Sequence, residues 1–437
     1  MSYFKPISIS LSPNVEKDDI KLALNLIIRP WLWVGGKETP LNTGVFKGVS
    51  GDAVKTLEDE FKEYLGVKHA VSFNSGRSAF YATLQALSKV EGLKGTRVLL
   101  QAFTCNASIN PVLWAGLEPV YVDCNSNDFS MNTEDLKKKV AENPSAKILL
   151  IQHTFGMPAN MDEINLIVQQ NNLILIEDCA HSLGAEYNGK KTGVFGEASF
   201  FSFSRDKVIS SVYGGMATTN NDKLGEALRQ AQKEFGIPGS FWVFQQLLHP
   251  ILLHYFILPL YNFFDLGKAM LVFSQVFHVL SKAVSWKEKR GLKPDYFPKA
   301  LPNALAIMAL NQFGKLPKFQ AQRQAIARDY FAKLSETKFK LPEKFSNRTS
   351  AWLRFTVQHK DAHSIIYEAW HKENILLGDW YTTPIAPFDT KLKEMKYQKG
   401  SCPNAERLSE KTLNLPTHIN ISRKDTERII NFLKKYG

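Results

Sequence analysis

Short apolar runs alternate with amphipathic segments along the first half of this 437-residue chain. The run HAVSFNSG, residues 69–76, ends in a turn, and residues 77–90 then place apolar side chains at helical spacing. The same order of strand, turn and helix repeats from the runs TRVLLQAF, EPVYVD, AKILLIQHT and LILIEDCAHS. Strands that alternate with helices in this way predict an α/β fold, with a mainly parallel sheet covered by helices on both faces. Such sheets bind ligands at the carboxyl ends of their strands.

The pattern changes after residue 234. Residues 235–264 contain no Asp, Glu, Lys or Arg, and the apolar segment that follows them ends in a basic stretch at 282–293. Beyond it, a long helical run precedes strand-like runs around another helix, which predicts a smaller α+β domain packed on the first. We therefore expect a large domain at 1–234, an apolar helical insert at 235–293 and a small C-terminal domain at 294–437.

The insert has the composition of a segment that contacts a membrane. A spanning helix needs about 20 apolar residues, and Pro250 and Pro259 interrupt the apolar run. Aromatic residues, an apolar face and a basic flank suit instead a helix pair that lies in the interface of a bilayer with anionic lipid. The alternative is an enlarged dimer lobe, in which the same face packs against protein.

Composition excludes several classes of protein. The apolar and charged fractions, 44% and 22%, are those of a folded globular protein. The four cysteines show no paired spacing, so neither a zinc site nor a disulfide framework is expected, and a reducing cytosol fits. The start of the chain lacks the pattern of a secretory signal. The net charge of +12 suits an anionic partner, but no nucleic-acid-binding motif accompanies it, and we expect no nucleic acid.

Polar groups follow the predicted strands at three places. Asn74 to Ser78 form a turn that opens a helix, where free backbone N–H groups attract an anion such as phosphate. Asp178 ends another strand, where a carboxylate either needs a partner or caps a helix. The following strand delivers Ser202 and Lys207. An anion anchor, a carboxylate for a pyridinium nitrogen and an amine are the three parts of a pyridoxal phosphate site.

These segments resemble the DegT/DnrJ/EryC1/StrS family of sugar aminotransferases over nearly the whole chain. The most specific match is IEDCAHSLGAEYNGKKTGVFGEASFFSFSRDKVISSVYGGM at 176–216. Others are GDAVKTLEDEFKEYLGVKHAVSFNSGRSAFYATL at 51–84, IQHTFGMPANMDEI at 151–164 and SCPNAERLSEKTLNLPTHINISRKDTERIINFL at 401–433. The resemblance implies the type I fold of pyridoxal-phosphate-dependent transferases, with a sheet of the seven-stranded type, and a homodimer.

The resemblance also assigns roles to single residues. Lys207 is expected to bind pyridoxal phosphate as a Schiff base and then to move a proton between substrate and cofactor. Asp178 is expected to keep the pyridine nitrogen protonated, and His181 to lie against the ring. Contacts to the phosphate are expected from the strand serine and the helix start, namely Ser202, Ser75, Gly76 and Arg77. Lys207 and Asp178 are thus the predicted catalytic residues, and no metal ligand is expected.

Two positions depart from the family pattern. Cys105 stands where the family usually has an aromatic residue that stacks on the cofactor, and Phe103 lies two residues earlier, so both are candidates for that contact. The family's Asn-Tyr-Arg signature, through which a neighbouring subunit reaches the phosphate, falls near residues 294–313, where only Lys299 is basic. The second departure predicts either a different contact across the dimer or a cofactor that is held less tightly.

The retained Lys207 favours transamination, because related dehydratases have histidine at this position. The expected reaction moves an amino group from an amino acid, by resemblance L-glutamate, to a nucleotide-linked keto-sugar for a surface polysaccharide or glycoconjugate. A dehydratase or isomerase of the same family and a non-catalytic, membrane-tethered relative are the alternatives. Asp379, Trp380 and Tyr381 are candidates for substrate contact at the domain boundary. We expect a cytoplasmic protein whose insert touches the inner face of the cytoplasmic membrane.

Overall fold

A seven-stranded sheet lies at the centre of the large domain in the computed structural model, which describes residues 5–33, 52–93 and 95–437. Its strands are β1 (His69–Phe73), β2 (Arg97–Gln101), β3 (Glu118–Val122), β4 (Ala146–Gln152), β5 (Ile174–Asp178), β6 (Ala198–Ser202) and β7 (Gly215–Thr219). Their order across the sheet is β1-β7-β6-β5-β4-β2-β3. All neighbours are parallel except β7, which runs antiparallel to β1 and β6. The predicted α/β class and mainly parallel sheet are confirmed.

Helices cover the sheet and also occur throughout the C-terminal part of the chain. In the described parts of the chain the α-helices are α1 (Lys17–Ile27), α2 (Ala53–Leu65), α3 (Gly76–Glu91), α4 (Asn106–Trp114), α5 (Thr133–Glu142), α6 (Met161–Gln170), α7 (Asp222–Phe235), α8 (Ser240–Leu252), α9 (Leu266–Val276), α10 (Asn303–Phe313), α11 (Leu316–Leu334), α12 (Ala362–Glu373), α13 (Pro403–Lys411) and α14 (Arg423–Leu433).

Successive residues of β6 show that both faces of the sheet are buried. Phe200 stacks on Phe80 of α3 with ring centres 4.7 Å apart, and Phe201 meets Phe61 of α2 on the other face at 5.4 Å. Side chains alternate between the faces of a strand, so a strand buried on both sides reads as the continuous apolar run seen in the sequence.

The C-terminal part of the chain contains an antiparallel pair, Phe355–Gln358 with Thr412–Leu415. The segment that precedes α13 returns to the central sheet, where Ile385–Ala386 pairs in parallel with Thr104–Cys105, just beyond the end of β2. This pairing holds the segment around Trp380 beside the carboxyl end of the central sheet. The remaining short strands are Ile7–Ser8, Glu186–Tyr187, Lys190–Lys191, Arg348–Thr349 and Ile375–Leu376.

The insert contains α8 and α9, and a π-helical turn at Leu253–Ile257 follows α8 directly. Leu253, Ile257 and Leu280 form a small apolar core inside it. Among the described residues, no helix combines the length and apolarity needed to cross a bilayer. The division of the chain into three domains stays a prediction.

Candidate active site

One cavity, with a volume of about 290 Å³, opens between the ends of β5 and β6 and residues 379–388. Asp379, Trp380 and Tyr381, the candidates for substrate contact, line it from the C-terminal part of the chain. Seven of the nine predicted site residues line it as well, namely Gly76, Arg77, Cys105, Asp178, His181, Ser202 and Lys207. The parallel strands bring together side chains that are far apart in the sequence.

The start of α3 touches the end of β6 at one end of this cavity. A side chain on Gly76 would place its Cβ 2.9 Å from Ser202 Cβ and 3.3 Å from Ser202 Oγ, so only glycine allows this approach. Ser75 caps the helix, because its Oγ accepts from the Ser78 N–H at 3.0 Å. The hydroxyls of Ser202 and Ser204 lie 3.0 Å apart. Helix N–H groups and hydroxyls that meet at one point form a site for an anion such as phosphate.

The Arg77 side chain extends from the same helix start to a buried carboxylate. Its guanidinium donates to Glu288, which is fully buried, and to the Ala283 carbonyl at 3.3 Å. The Phe297 ring centre lies 4.5 Å from the guanidinium carbon. Glu288 is held in turn by the Ser285 N–H, which donates to Oε2 at 2.8 Å. Sequence reasoning missed Glu288, because an acidic residue in a basic stretch has the pattern of a solvated surface.

Asp178 ends β5 as a buried carboxylate with a donor on each oxygen. The Ser108 hydroxyl donates to Oδ2 at 2.8 Å, and the Ala180 N–H donates to Oδ1 at 3.0 Å. The carboxylate faces the cavity and closes a local turn; it does not cap a helix, the alternative that the sequence allowed, because residues 180–184 form turns and no helix begins there. Burial raises the pKa of Asp178, because the ionised form loses solvation. A cationic group in the cavity, such as a protonated ring nitrogen, would lower the pKa of Asp178 again.

Lys207 lies in the loop between β6 and β7, with its Nζ 4.7 Å from the centre of the Trp380 ring. Burial lowers the pKa of this amine, whereas the negative charges of Asp206 and Asp178 raise it. A lowered pKa increases the fraction of neutral amine, which is the form that attacks a carbonyl carbon.

The His181 ring is stacked beside the same tryptophan. Its centre lies 5.2 Å from that of Trp380, with 19° between the ring planes. The Phe155 N–H donates to Nδ1 at 3.3 Å. Burial lowers the pKa of His181 well below its usual value, and the charges of Lys207 and Arg354 act in the same direction. The imidazole is therefore neutral near pH 7.

Arg354 is a buried cation that sequence reasoning did not single out. Its guanidinium carbon lies 3.4 Å from the centre of the Trp380 ring, and Nη2 donates to Asp206 Oδ2 at 3.2 Å. Burial lowers its pKa, which the charge of Asp206 partly opposes. Neither Arg354 nor Ser108 carries a local signal, because each acts through a contact with a distant part of the chain.

The two candidates for the stacking contact lie in different places. Cys105 lines the cavity, whereas Phe103 is fully buried outside it. Trp380, rather than Phe103, places an aromatic ring beside Lys207. The rings that surround Phe103 are those of Phe129, Phe155 and Tyr381.

Lys299, the basic residue at the position of the Asn-Tyr-Arg signature, is directed at a helix end. Its ammonium donates to the carbonyl of Phe235, the last residue of α7, at 3.0 Å. This contact joins the first residue of the insert to the chain just after the insert.

The residues around the cavity fit pyridoxal phosphate. The approach that Gly76 permits, with the hydroxyl of Ser202, suits the phosphate, and the buried carboxylate of Asp178 suits the ring nitrogen. Lys207 supplies an amine of lowered pKa in the same space. The volume lies near the lower end of the range for small-molecule sites, about 300–1,000 Å³.

Comparison with known proteins agrees with this geometry. The sequence model of the DegT/DnrJ/EryC1/StrS aminotransferase family matches residues 39–246 and 282–434. The chain is 34% identical over 193 residues to the GDP-perosamine synthase of Vibrio cholerae, which covers 44% of this chain and 51%, about half, of that protein. It is 26% identical over 388 residues to the UDP-N-acetyl-3-dehydro-alpha-D-glucosamine 3-aminotransferase of Acidithiobacillus ferrooxidans, with 89% of each chain covered.

A solved structure has the same fold. The aminotransferase PseC of Helicobacter pylori, which is involved in the biosynthesis of pseudoaminic acid, superposes with a TM-score of 0.72 at 21% identity, over 99% of both chains. Since the family's sequence model matches most of the chain, in two segments that contain the cavity residues, the chain belongs to the DegT/DnrJ/EryC1/StrS aminotransferase family.

Proposed function

We propose that the protein is a pyridoxal-phosphate-dependent aminotransferase that moves an amino group from L-glutamate to a nucleotide-linked keto-sugar, for a surface polysaccharide or glycoconjugate. The observation that carries this proposal is the meeting of Lys207, Asp178 and the helix start at Gly76 around one cavity. Family membership supports the reaction class, and the names of two relatives, which contain GDP- and UDP-linked sugars, support the substrate class.

Bound pyridoxal phosphate supplies a carbonyl carbon that takes up amino groups and a ring that accepts electron density. Lys207 would bind that carbon and then move a proton at Nζ, which its lowered pKa favours. Asp178 would keep the ring nitrogen protonated. Its two carboxylate oxygens accept hydrogen bonds from the Ser108 hydroxyl and the Ala180 N–H. The other expected cofactor contacts are those of His181, Ser202, Ser75, Gly76, Arg77 and Cys105.

An absorption spectrum tests this proposal. We expect the purified protein to bind pyridoxal phosphate with a visible band, and L-glutamate to bleach this band as its amino group passes to the cofactor. Lys207→Ala should lose the band. Lys138→Ala on the surface of α5 is the matched control and should keep it.

The alternatives predict other spectra. A protein that takes up no cofactor, even when it is supplied, would be the non-catalytic relative. A protein that binds the cofactor but does not respond to glutamate would instead be the dehydratase or isomerase.

The proposal includes a homodimer in the cytoplasm, with peripheral contact to the inner face of the membrane through residues 235–293. The family match is interrupted at residues 247–281, inside this insert, and the insert exposes apolar side chains such as Phe264, which is 91% exposed. Light scattering after gel filtration tests the dimer. A monomer that retains the glutamate response would remove the dimer from the proposal and leave the reaction.

A further inference from the structure

Residues 255–279 of the insert carry much of the exposed apolar surface of the protein. Of the 21 large apolar side chains that are exposed in the described chain, ten lie in this stretch. We call these ten side chains the apolar face; they are Tyr255, Phe256, Phe263, Phe264, Leu266, Val272, Phe273, Val276, Phe277 and Val279. Apolar surface of this extent marks a site of interaction with protein or membrane.

Helix α9 explains why this face is exposed. One side of α9 packs against the insert's own core, where Met270 and Leu271 contact the cluster of Leu253, Ile257 and Leu280. The opposite side is equally apolar, and its exposed side chains recur at helical spacing. Asp265 and Lys268, the only charged residues of the stretch 255–279, pair with each other at 2.7 Å near the start of the helix. The exposed side of α9 therefore lacks the polar side chains that a solvent-exposed helix face usually carries.

Positive charge lies at both ends of the apolar face. At one end lie Lys5 and Lys17. Burial is the largest cause of the lowered pKa of His254, and these two lysines are close enough that their charges lower it further. At the other end Lys282 is exposed, three residues after Val279. The whole insert has six lysines and arginines against two acidic residues, one of which is the buried Glu288.

We propose that the apolar face docks into the interface of an anionic lipid bilayer, with α9 lying parallel to the membrane and the flanking lysines on the headgroups. This inference deepens the peripheral contact proposed above and rests on it. An 11-residue helix is about 16 Å long, so α9 can lie in the interface but cannot cross the hydrocarbon core. Charge favours lipid over a second copy, because a copy with net charge +12 brings like charges to this face, whereas anionic headgroups bring opposite ones.

The chain leads directly from the apolar face to the wall of the cavity. Leu280 belongs to the core of the insert, and the next residue, Ser281, accepts from Arg205 Nη2 at its carbonyl at 2.7 Å. Ala283 and Val284 then line the cavity. A bilayer that binds α9 therefore also restrains residues 280–284, which lead to the wall of the cavity.

Flotation with vesicles tests the proposal. The protein with bound pyridoxal phosphate is mixed with vesicles of phosphatidylglycerol and phosphatidylethanolamine, or with vesicles of phosphatidylcholine alone. We expect binding to the anionic vesicles and weaker binding to the neutral ones. The combined substitution Phe264→Ser, Phe273→Ser and Phe277→Ser should weaken binding about tenfold or more, since each exposed ring loses apolar burial in the membrane. Leu166→Ser, at a 53% exposed residue of α6, is the matched control and should change nothing.

Two outcomes would overturn the proposal. One is a wild-type protein that binds no anionic vesicle, or whose binding survives the triple substitution. The other is a triple variant that shifts from dimer to monomer in lipid-free buffer while the wild type ignores vesicles, which would show that a second copy covers the face. The glutamate response in lipid-free buffer is measured in parallel. Vesicle binding without that response would reject the proposed reaction and leave the membrane contact standing.

Discussion

The guanidinium carbon of Arg354 lies 3.4 Å from the centre of the Trp380 ring, and the same ring lies 4.7 Å from Lys207 Nζ. The Arg354 side chain is 1% exposed, so its charge acts on its neighbours with little screening by solvent. Burial is the largest cause of the lowered pKa of Lys207. Of the charged neighbours, Asp206 raises this pKa and Arg354 lowers it. Arg354 therefore positions the Trp380 ring, which lines the cavity, and also lowers the pKa of the Lys207 amine.

Arg354→Met is expected to raise the pKa of Lys207, because a like charge is removed and Asp206 loses its partner. The rate of pyridoxal phosphate uptake depends on neutral amine, so it should reach its plateau at a higher pH than in the wild type. Asp206→Asn should shift the plateau in the opposite direction. Parallel shifts in the two variants would point to a general loss of structure and contradict this electrostatic role.

Ser108→Ala is expected to weaken cofactor binding through Asp178. The hydroxyl donates to Oδ2 at 2.8 Å and stabilises the ionised carboxylate, so its loss raises the pKa of Asp178 further. A hydrogen bond to a charged group contributes about 1.5–3 kcal/mol. The dissociation constant of pyridoxal phosphate, measured across pH, checks this loss. Ser108→Thr keeps the hydroxyl and serves as control; equal losses in the two variants would contradict the prediction.

Gly76→Ala is expected to separate α3 from β6. The new Cβ would lie 2.9 Å from Ser202 Cβ, and overpacking of this kind costs about 1–3 kcal/mol in the free energy of unfolding. Ser202→Gly removes the atom that the new Cβ meets, so the double variant should lose less stability than the sum of the two single variants. Urea unfolding of the four proteins measures this coupling, and strict additivity would show that the two residues do not crowd each other.

Glu288→Gln is expected to leave the buried Arg77 guanidinium without its counter-charge. Breaking a buried ion pair from one side costs about 3–5 kcal/mol. If Arg77 faces the phosphate, pyridoxal phosphate should recover part of the lost thermal stability, whereas pyridoxal, which lacks the phosphate, should recover none. Melting temperatures with each compound measure the difference. Equal recovery by both would place the phosphate away from Arg77.

His418 is expected to make the protein less stable in mild acid. Burial lowers its pKa from 6.5 to about 3, and its Nε2 lies 2.8 Å from the Ser8 carbonyl. Between pH 6.5 and about 3, only the unfolded chain takes up a proton on this imidazole. The stability that neutral, buried His418 contributes is therefore fully present above pH 6.5 and is lost as the pH falls towards 3. The slope is about 1.4 kcal/mol per pH unit for one such group. His418→Gln should reduce this slope in urea unfolding, and an unchanged slope would assign the acid sensitivity to other groups.

The sequence by itself determined the class of fold and the centre of the site. Apolar periodicity and turn residues are local, so they predicted the α/β order of the large domain before any packing was considered. Lys207 and Asp178, which the sequence singled out, line one cavity, because the carboxyl ends of parallel strands meet at one edge of a sheet; their catalytic roles stay a prediction. The family signature between residues 176 and 216 is equally local.

Only the tertiary structure decided which distant side chains complete the site. Arg354 and Asp206 are 148 positions apart, and their contact exists because the C-terminal part of the chain packs near the strand ends. Phe103 and Cys105 are two positions apart in sequence, yet one is buried behind the wall and the other lines the cavity. The apolar pattern of α9 was compatible with burial or exposure, and the choice depended on which side of the helix packs on the core of the insert. Periodicity shows that a helix has an apolar side, but long-range packing determines whether that side is covered.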